Sequence, residues 1–155
     1  MKGFTLVEMM VVLAVIAILA LMMAPTYNDR AVREQIVEAL PLADLAKKPV
    51  AAAWAAGQPL PADNAAGGLP AAEKIVSDKV SAVTLEKGSI HVRFGNRANG
   101  AIQGKTHTLR PAVVEDAPIV PITWLCGVAA PPEKMSAKGP NRTDVAPRYL
   151  PARCR

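Results

Sequence analysis

Few side chains in this 155-residue sequence are of the types that catalyse reactions, and their spacing does not combine them into a site. The two histidines, His91 and His107, have no serine, cysteine or aspartate at a spacing that predicts a nucleophile and its base. We expect both on the solvent-facing sides of strands. The adjacent carboxylates Glu115 and Asp116 are at most a candidate cation site. The sequence therefore predicts a protein that is not an enzyme and needs no metal ion or cofactor.

The two cysteines, Cys126 and Cys154, form the next chemically reactive pair. Zinc sites use four ligands, and neither cysteine belongs to a CxxC motif or has a histidine near it in sequence. An even number of cysteines in an exported protein indicates a disulfide. Such a bond would close a loop of about 29 residues, worth roughly 3.5 kcal/mol in the chain-entropy model. The pair predicts an oxidising compartment, the periplasm or the cell exterior.

A third reactive group, Glu8, lies where a charge is costly. It interrupts an apolar stretch from Phe4 to Ala24 that would form about 31 Å of helix, enough to cross a bilayer. A cleavable signal peptide is one alternative, but it would have a shorter apolar region and a more basic start. A plain membrane anchor fits the length, yet it gains nothing from a carboxylate within the bilayer. The position of Glu8 therefore predicts a specific role for it.

The residues around Glu8 resemble the processing signal of the type IV pilin family. Lys2-Gly3 followed by Phe4-Thr5-Leu6-Val7-Glu8 is similar to a short basic leader that ends in glycine and is followed by Phe-Thr-Leu-x-Glu. The resemblance implies that a prepilin peptidase cuts between Gly3 and Phe4 and methylates the new N-terminal Phe4. Glu8 of one subunit could then pair with the Phe4 ammonium of another. In apolar surroundings a missed pairing is costly, so this pair would set the register of assembly.

The rest of the chain predicts an α+β fold, in which a long N-terminal helix packs on a roughly four-stranded antiparallel sheet. Apolar residues three or four apart continue the helix beyond Pro25 as an amphipathic segment. We expect bends at Pro25 and Pro41. The predicted organisation is a leader over 1–3, a transmembrane and filament-core helix over 4–25 and a globular head over 26–155. The head comprises an amphipathic helix over 26–54, a variable loop over 55–79, the sheet over 80–125 and a disulfide loop over 126–154.

Alternation of apolar and polar residues predicts the strands of the sheet. Pro111 lacks a backbone N–H, so we place the third strand at an edge or expect it to end early. Short connections between the strands indicate an antiparallel meander laid across the amphipathic half of the helix. The four predicted strands are Val80–Glu86, Ser89–Phe94, Thr106–Val114 and Ile119–Leu125.

The C-terminal segment carries a second resemblance to the same family. Its two ends, 122–127 and 148–155, are similar to the ends of the family's disulfide-bounded loop, which implies a bond between Cys126 and Cys154. Most secretion pseudopilins lack this loop, so the resemblance favours a major-type pilin.

The resemblance implies a structural function in a Gram-negative bacterium. The expected protein is a pilin that polymerises through its N-terminal helix into an extracellular type IV pilus for adhesion, twitching motility and DNA uptake. Its expected partners are other copies of itself, the prepilin peptidase, the inner-membrane assembly machinery and, before assembly, the lipid bilayer.

Two alternatives remain open at this point. One is a type II secretion pseudopilin. The other is a minor or competence pilin whose basic C-terminal loop binds DNA through salt-dependent phosphate contacts. A basic surface that is simply solvated is the plainer explanation of the same residues. The candidate DNA or surface contacts are Lys134, Lys138, Arg142 and Arg148.

Overall fold

The structure is a computed structural model that describes residues 3–155, apart from the side chains of residues 24–26. Met1 and Lys2 of the predicted leader lie outside the described residues. The first element is α1, a single helix from Leu6 to Ala55. Gly57 follows it with a positive φ of 64°, a conformation that suits glycine and ends the helix.

The two halves of α1 have different surroundings. Large apolar side chains of the first half are exposed on every side of the helix, whereas the second half buries one stripe against the head. The stripe recurs every three or four residues, as expected for an amphipathic helix. The helix continues past Pro25 and Pro41, and the bends that we expect there stay predictions. The buried stripe consists of Val32, Ile36, Ala39, Ala43, Ala46 and Val50.

An antiparallel sheet packs against the second half of α1, which confirms the predicted α+β fold. Strands β1 to β4 follow one another in sequence and in space, and the short β5 pairs with β3 beside β2. The residues of β1 and β2 that face α1 are fully buried and form the centre of the core. The strands are β1 (Val80–Glu86), β2 (Ser89–Phe94), β3 (Thr106–Val113), β4 (Thr123–Cys126) and β5 (Ser136–Ala137).

The position of β3 corrects the expectation drawn from Pro111. This strand is central, because it pairs with β2 and β5 on one side and with β4 on the other. The Pro111 carbonyl accepts a bond from the Lys138 N–H on the β5 side, so the missing proline N–H also points to that side. The pairing of β2 with β3 ends at Leu109, and that of β5 begins at Ala112. Proline is tolerated because it lies in the gap between the two partner strands.

The fourth strand is shorter than predicted. The segment from Ile119 to Ile122 lies outside it, and Ile119 is 92% exposed at the tip of the β3–β4 connection. A backbone bond from the Val120 N–H to the Ala117 carbonyl closes a turn there. Apolar residue type alone predicted a strand, but within the described part of the chain these residues have no neighbouring strand to pair with.

The long connection between α1 and β1 covers the outer edge of the sheet. Asn64 is buried, and its amide donates to the carbonyls of Pro70 and Val83 and accepts from the Leu85 N–H at 2.6 Å. Val83 and Leu85 belong to β1, whose outer side has no strand beside it in the described part of the chain. The side chain of Asn64 therefore takes the place of a neighbouring strand at this edge.

Both histidines are buried, so our expectation that they face solvent was wrong. His91 does point away from α1, but residues 138–144 lie over that face and leave it 5% exposed. His107 pairs with Val92 in register, which places it on the α1 side, where it is fully buried. Alternation within one strand cannot reveal cover supplied from a distant part of the chain.

We predict that Asn64→Ala lowers the free energy of unfolding of the head. The substitution leaves the buried Leu85 N–H and Val83 carbonyl without partners, which costs about 1–3 kcal/mol for each unsatisfied group. The measurement is denaturant unfolding of the full-length protein in detergent, followed by tryptophan fluorescence. Gln58→Ala, at an exposed position in the same connection, is the matched control and should change stability by less than about 0.5 kcal/mol. Equal stability of the two variants would contradict the assigned role of Asn64.

Candidate functional site

The N-terminal end of α1 brings together the residues predicted to act in processing and assembly. Thr5 is the N-cap residue, and its side chain accepts a bond from the Glu8 N–H at 3.3 Å. In return, Glu8 Oε2 accepts bonds from the Thr5 N–H at 2.9 Å and from the Thr5 hydroxyl at 2.7 Å. This is a capping box, in which the carboxylate satisfies a backbone donor at the start of the helix. Among residues 3–155, Glu8 Oε1 has no bonding partner.

Gly3 and Phe4 lie outside the helix and are accessible. Apart from Gly3 and its chain neighbours, no heavy atom of the described residues lies within 4 Å of the position where a β-carbon on Gly3 would be, and Phe4 is 78% exposed. The peptide bond between them can therefore be reached by another protein without unfolding α1. Thr5 and Glu8 lie beyond this bond, so a cut there would leave the capping box intact.

The surface that follows Glu8 is apolar on all sides of the helix. The large side chains from Met9 to Met23 are between 45% and 76% exposed, and soluble monomers rarely expose an apolar surface of this extent. By length and composition α1 can cross a membrane. A helix that is hydrophobic all round requires either lipid or other helices around it.

At the other end of the protein, the predicted disulfide joins Cys126 and Cys154, with 4.7 Å between their Cα atoms. Gly127 lies beside it with a φ of 61°, and a β-carbon at this position would collide with the Cys154 carbonyl oxygen. The Val128 N–H donates to the same carbonyl at 3.0 Å. Glycine at position 127 thus lets the end of the chain close against the end of β4.

A polar network holds the C-terminal loop on the sheet. The Arg142 guanidinium donates to both carboxylate oxygens of Glu86, at 2.5 and 2.8 Å. Glu86 also lies 3.2 Å from His91 Nε2, and His91 Nδ1 is 2.9 Å from the Thr108 hydroxyl. The Thr108 hydroxyl in turn accepts a bond from the Arg142 N–H, which closes the network.

Further along the loop, the Asp144 carboxylate accepts a bond from the Thr106 N–H, and the Asp144 N–H donates to the Thr106 carbonyl.

The network shifts the pKa values of its members. The hydrogen bonds from Arg142 lower the pKa of Glu86, against a smaller opposing effect of burial. Burial lowers the pKa of His91, although the Glu86 carboxylate favours its charged form. Both shifts keep the network in its neutral-pH state, with Glu86 ionised and His91 uncharged.

The four basic residues predicted to contact DNA or another surface do not form one cluster of free cations. Arg142 is paired with Glu86, and Lys138 is paired with Glu115, whose pKa this bond lowers. Arg148 lies over the ring of Tyr149, 4.6 Å from its centre, while Lys134 is exposed with a φ of 64°. The Glu115 carboxylate, a candidate cation ligand by sequence, is thus occupied by Lys138.

Nothing in the sequence indicated that Glu86 and Thr108 belong to this network, and the burial of His107 was not predicted. His107 lies beside the disulfide, and burial lowers its pKa to about 4. No spacing in the sequence links these positions, since Glu86 and Arg142 are 56 residues apart. Only one signal in the sequence could have indicated that His107 is buried, namely its place at a strand position that faces the core.

The first half of α1 is apolar and exposed on every side, and its second half is joined to a disulfide-closed α+β head; this arrangement fits a class of protein that is anchored in a membrane by its N-terminal helix. A family model described as Pilin (bacterial filament) matches residues 32–155, and the prokaryotic N-terminal methylation motif matches residues 1–24. The chain belongs to the pilin family, whose members are structural subunits of bacterial filaments.

Curated relatives support this assignment over the whole chain. The chain is 31% identical to the type IV major pilin protein PilE of Neisseria gonorrhoeae, in an alignment that covers 99% of this chain and 93% of the relative. It is 32% identical to the fimbrial protein EcpC of Eikenella corrodens, with 99% and 90% covered. The type IV major fimbrial protein FimA of Dichelobacter nodosus is 54% identical over 43 residues, 28% of this chain and 27% of the relative.

We predict that acid destabilises the head through His107. Its pKa is about 4 in the folded chain against an ordinary value of 6.5, so the unfolded chain takes up the proton first as the pH falls. The stability that depends on uncharged His107 is fully present above pH 6.5 and is lost as the pH falls towards 4. At pH 4 the free energy of unfolding is lower by about 3 kcal/mol. The measurement is the free energy of unfolding of the full-length oxidised protein in detergent at pH 7 and pH 4.

His107→Leu is the variant that isolates this effect, because it removes the titrating group and keeps an apolar side chain of similar size. Its stability should fall by about 3 kcal/mol less than that of the wild-type protein between pH 7 and pH 4. Carboxylates titrate in both proteins, so their effect on stability cancels in the comparison. The same pH dependence in both would show that His107 takes up its proton without unfolding.

Proposed function

We propose that the chain is the major subunit of a type IV pilus and that it polymerises through α1. The observation that carries the proposal is the apolar surface of residues 9–23, which is exposed on all sides and begins directly after a capped carboxylate. The disulfide loop and relatives that are named major pilins favour the major subunit over a secretion pseudopilin.

Burial of this surface would supply the cohesion of the filament. Each buried Val, Leu, Ile or Met side chain is worth about 1.5–3 kcal/mol relative to an exposed one. Burial is non-directional, so apolar helices could slide past one another with little change in energy. A second interaction is needed to select one register.

Glu8 and the amino group of Phe4 are the pair that would select the register. Cleavage after Gly3 would give Phe4 a free ammonium group, and Glu8 Oε1 is the carboxylate oxygen that the capping box leaves open. Among apolar helices an unpaired carboxylate is costly, so the stagger that joins Glu8 to a neighbouring Phe4 would be favoured over all others.

The membrane-spanning length of α1 and the methylation motif support the remaining steps of the proposal. We propose that the precursor resides in the inner membrane of a Gram-negative bacterium, where a prepilin peptidase cuts it after Gly3 and methylates Phe4. Assembly machinery in that membrane then transfers the subunit into a filament outside the cell. Adhesion, twitching motility and DNA uptake are the functions we propose for this filament.

DNA binding by the C-terminal loop stays a prediction from sequence. Ion pairs with Glu115 and Glu86 occupy Lys138 and Arg142. No described feature aligns them with Lys134 or Arg148 along a path that a phosphate backbone could follow. Solvation of the protein surface accounts for these basic residues, and this explanation requires no DNA.

We predict that Gly3→Leu blocks processing, because a bulky side chain beside the cleavage site would obstruct an enzyme that must reach the backbone. Intact mass and N-terminal sequencing of the protein from cells should show a mature wild-type chain that begins with N-methyl-Phe4. The Gly3→Leu chain should stay in the membrane at its precursor mass. A wild-type chain that begins near Pro25 would instead reveal an ordinary signal peptide and overturn the proposal.

We predict that Glu8→Ala reduces filament yield without reducing the amount of processed subunit. The change removes the partner of Phe4 but also removes the cost of placing a carboxylate in the membrane, so insertion should be at least as efficient. The measurement compares sheared filaments with processed monomer in the membrane. Met9→Ala, which shortens an exposed side chain one residue away, is the control and should assemble.

Two results would contradict this account of Glu8. Normal filament yield from Glu8→Ala would show that the heads set the register. Loss of the processed monomer would show that Glu8 serves folding or insertion instead of assembly.

A further inference from the structure

His107 occupies an unusual position for a histidine. It is fully buried, and neither ring nitrogen has a hydrogen-bond partner among residues 3–155. Its ring lies beside the disulfide, so that a ring nitrogen and the Sγ atoms of Cys126 and Cys154 all lie within 4.8 Å of one another. A buried imidazole without a partner is destabilising, so the folded, oxidised protein gains nothing from its polar atoms.

Reduction of the disulfide would turn the same three side chains into a set of potential metal ligands. Two thiolates and a neutral imidazole are ligands that Zn²⁺ prefers, at about 2.3 Å from sulfur and 2.0–2.1 Å from nitrogen. Tetrahedral geometry at these lengths separates two sulfurs by about 3.8 Å. The Cα atoms of Cys126 and Cys154 are 4.7 Å apart, and rotation of the side chains would bring the sulfurs to that separation.

The charge of such a centre suits a buried position. Two thiolates neutralise one divalent cation, and the imidazole adds no charge, so the ion brings no net charge into the core. Of the three ligands, Cys126 lines a cavity of about 300 Å³ together with Leu109 and Trp124, and a water in this cavity would be the fourth ligand. Lys47 and Arg153 also line this cavity and repel a free cation. The ion would therefore enter while the C-terminal loop is still open.

We propose that the reduced chain binds one Zn²⁺ through Cys126, Cys154 and His107 before the disulfide forms. Binding releases the two thiol protons to solvent. A small-molecule or protein disulfide then oxidises the pair: one new S–S bond forms in the chain, the oxidant is reduced to two thiolates, and Zn²⁺ is released. The site exists only in the reduced chain and does not depend on the filament proposal.

Cobalt is the probe for the first test, because Co²⁺ in a tetrahedral thiolate site absorbs strongly in the visible range. The full-length protein in detergent is reduced with a phosphine, freed of reductant without oxygen and titrated with Co²⁺ and then Zn²⁺. The wild-type reduced chain should bind one Co²⁺, and one Zn²⁺ should then displace it from the same site. The oxidised chain should bind neither.

His107→Gln and His91→Gln form a matched pair of variants, since both histidines are buried and lie on neighbouring strands. His107→Gln should weaken binding at least tenfold and lose the tetrahedral spectrum, whereas His91→Gln should match the wild-type protein. Equal binding by His107→Gln and the wild-type protein would overturn the proposal. So would the absence of stoichiometric binding by the reduced wild-type chain, or equal binding by the oxidised chain.

A second measurement covers the possibility that His107→Gln folds poorly when reduced. Oxidation of the wild-type chain by glutathione disulfide should slow at least tenfold with equimolar Zn²⁺ and recover when a chelator is added. A rate that does not respond to Zn²⁺ would show that the two thiols are not held by the ion.

Discussion

The backbone of α1 must pass without a break between two apolar environments, and the rest of the structure depends on this constraint. All hydrogen bonds of a helical backbone are internal, so the same element can lie in lipid at one end and against a protein core at the other. The change occurs within the sequence pattern, from apolar on every side to a single stripe that starts at Val32. The sheet has to cover that stripe and nothing more of the helix.

A core made mostly of small aliphatic residues leaves the head with little material to cover the second face of its sheet. Residues 138–144 of the C-terminal loop supply this cover and add no buried apolar side chain to the core, so polar contacts hold the segment in place. The disulfide holds the ends of the loop, the bidentate pair of Arg142 and Glu86 holds its middle, and Asp144 holds it to the start of β3. Gly127 and Gly139 let its backbone approach Cys154 and Ser89 where a β-carbon would collide.

Features that arise from local pattern were predictable from the sequence, and features that arise from contacts between distant segments were not. The bounds of β1 and β2 follow from alternation and the Lys87-Gly88 turn, and the disulfide from cysteine number and the family resemblance. The central position of β3 could not be read from Pro111, because tolerance of proline depended on where two other strands end. The pairing of Glu86 with Arg142 likewise depended on the path of a loop that has no periodic pattern.

The residues of the candidate site also divide into those that were predictable from local sequence and those that were not. Gly3, Phe4 and Glu8 are close in sequence, so their motif was recognisable, and the structure adds that Glu8 already caps its own helix through Thr5. His107 comes close to the cysteines only through the register of β3 with β2 and β4. Strand pairing cannot be read from the sequence, so we expected His107 at the surface. The structure places it in the core.

The cover that Asn64 gives to β1 has a consequence for crowding. Subunits on a membrane or along a fibre are held at very high local concentration, where an open strand edge would recruit the edge of any neighbour and nucleate disordered β-aggregates. The amide of Asn64 occupies the Val83 carbonyl and the Leu85 N–H, which makes this edge a poorer template for another strand. The head can thus be packed densely against its neighbours with less risk of strand exchange.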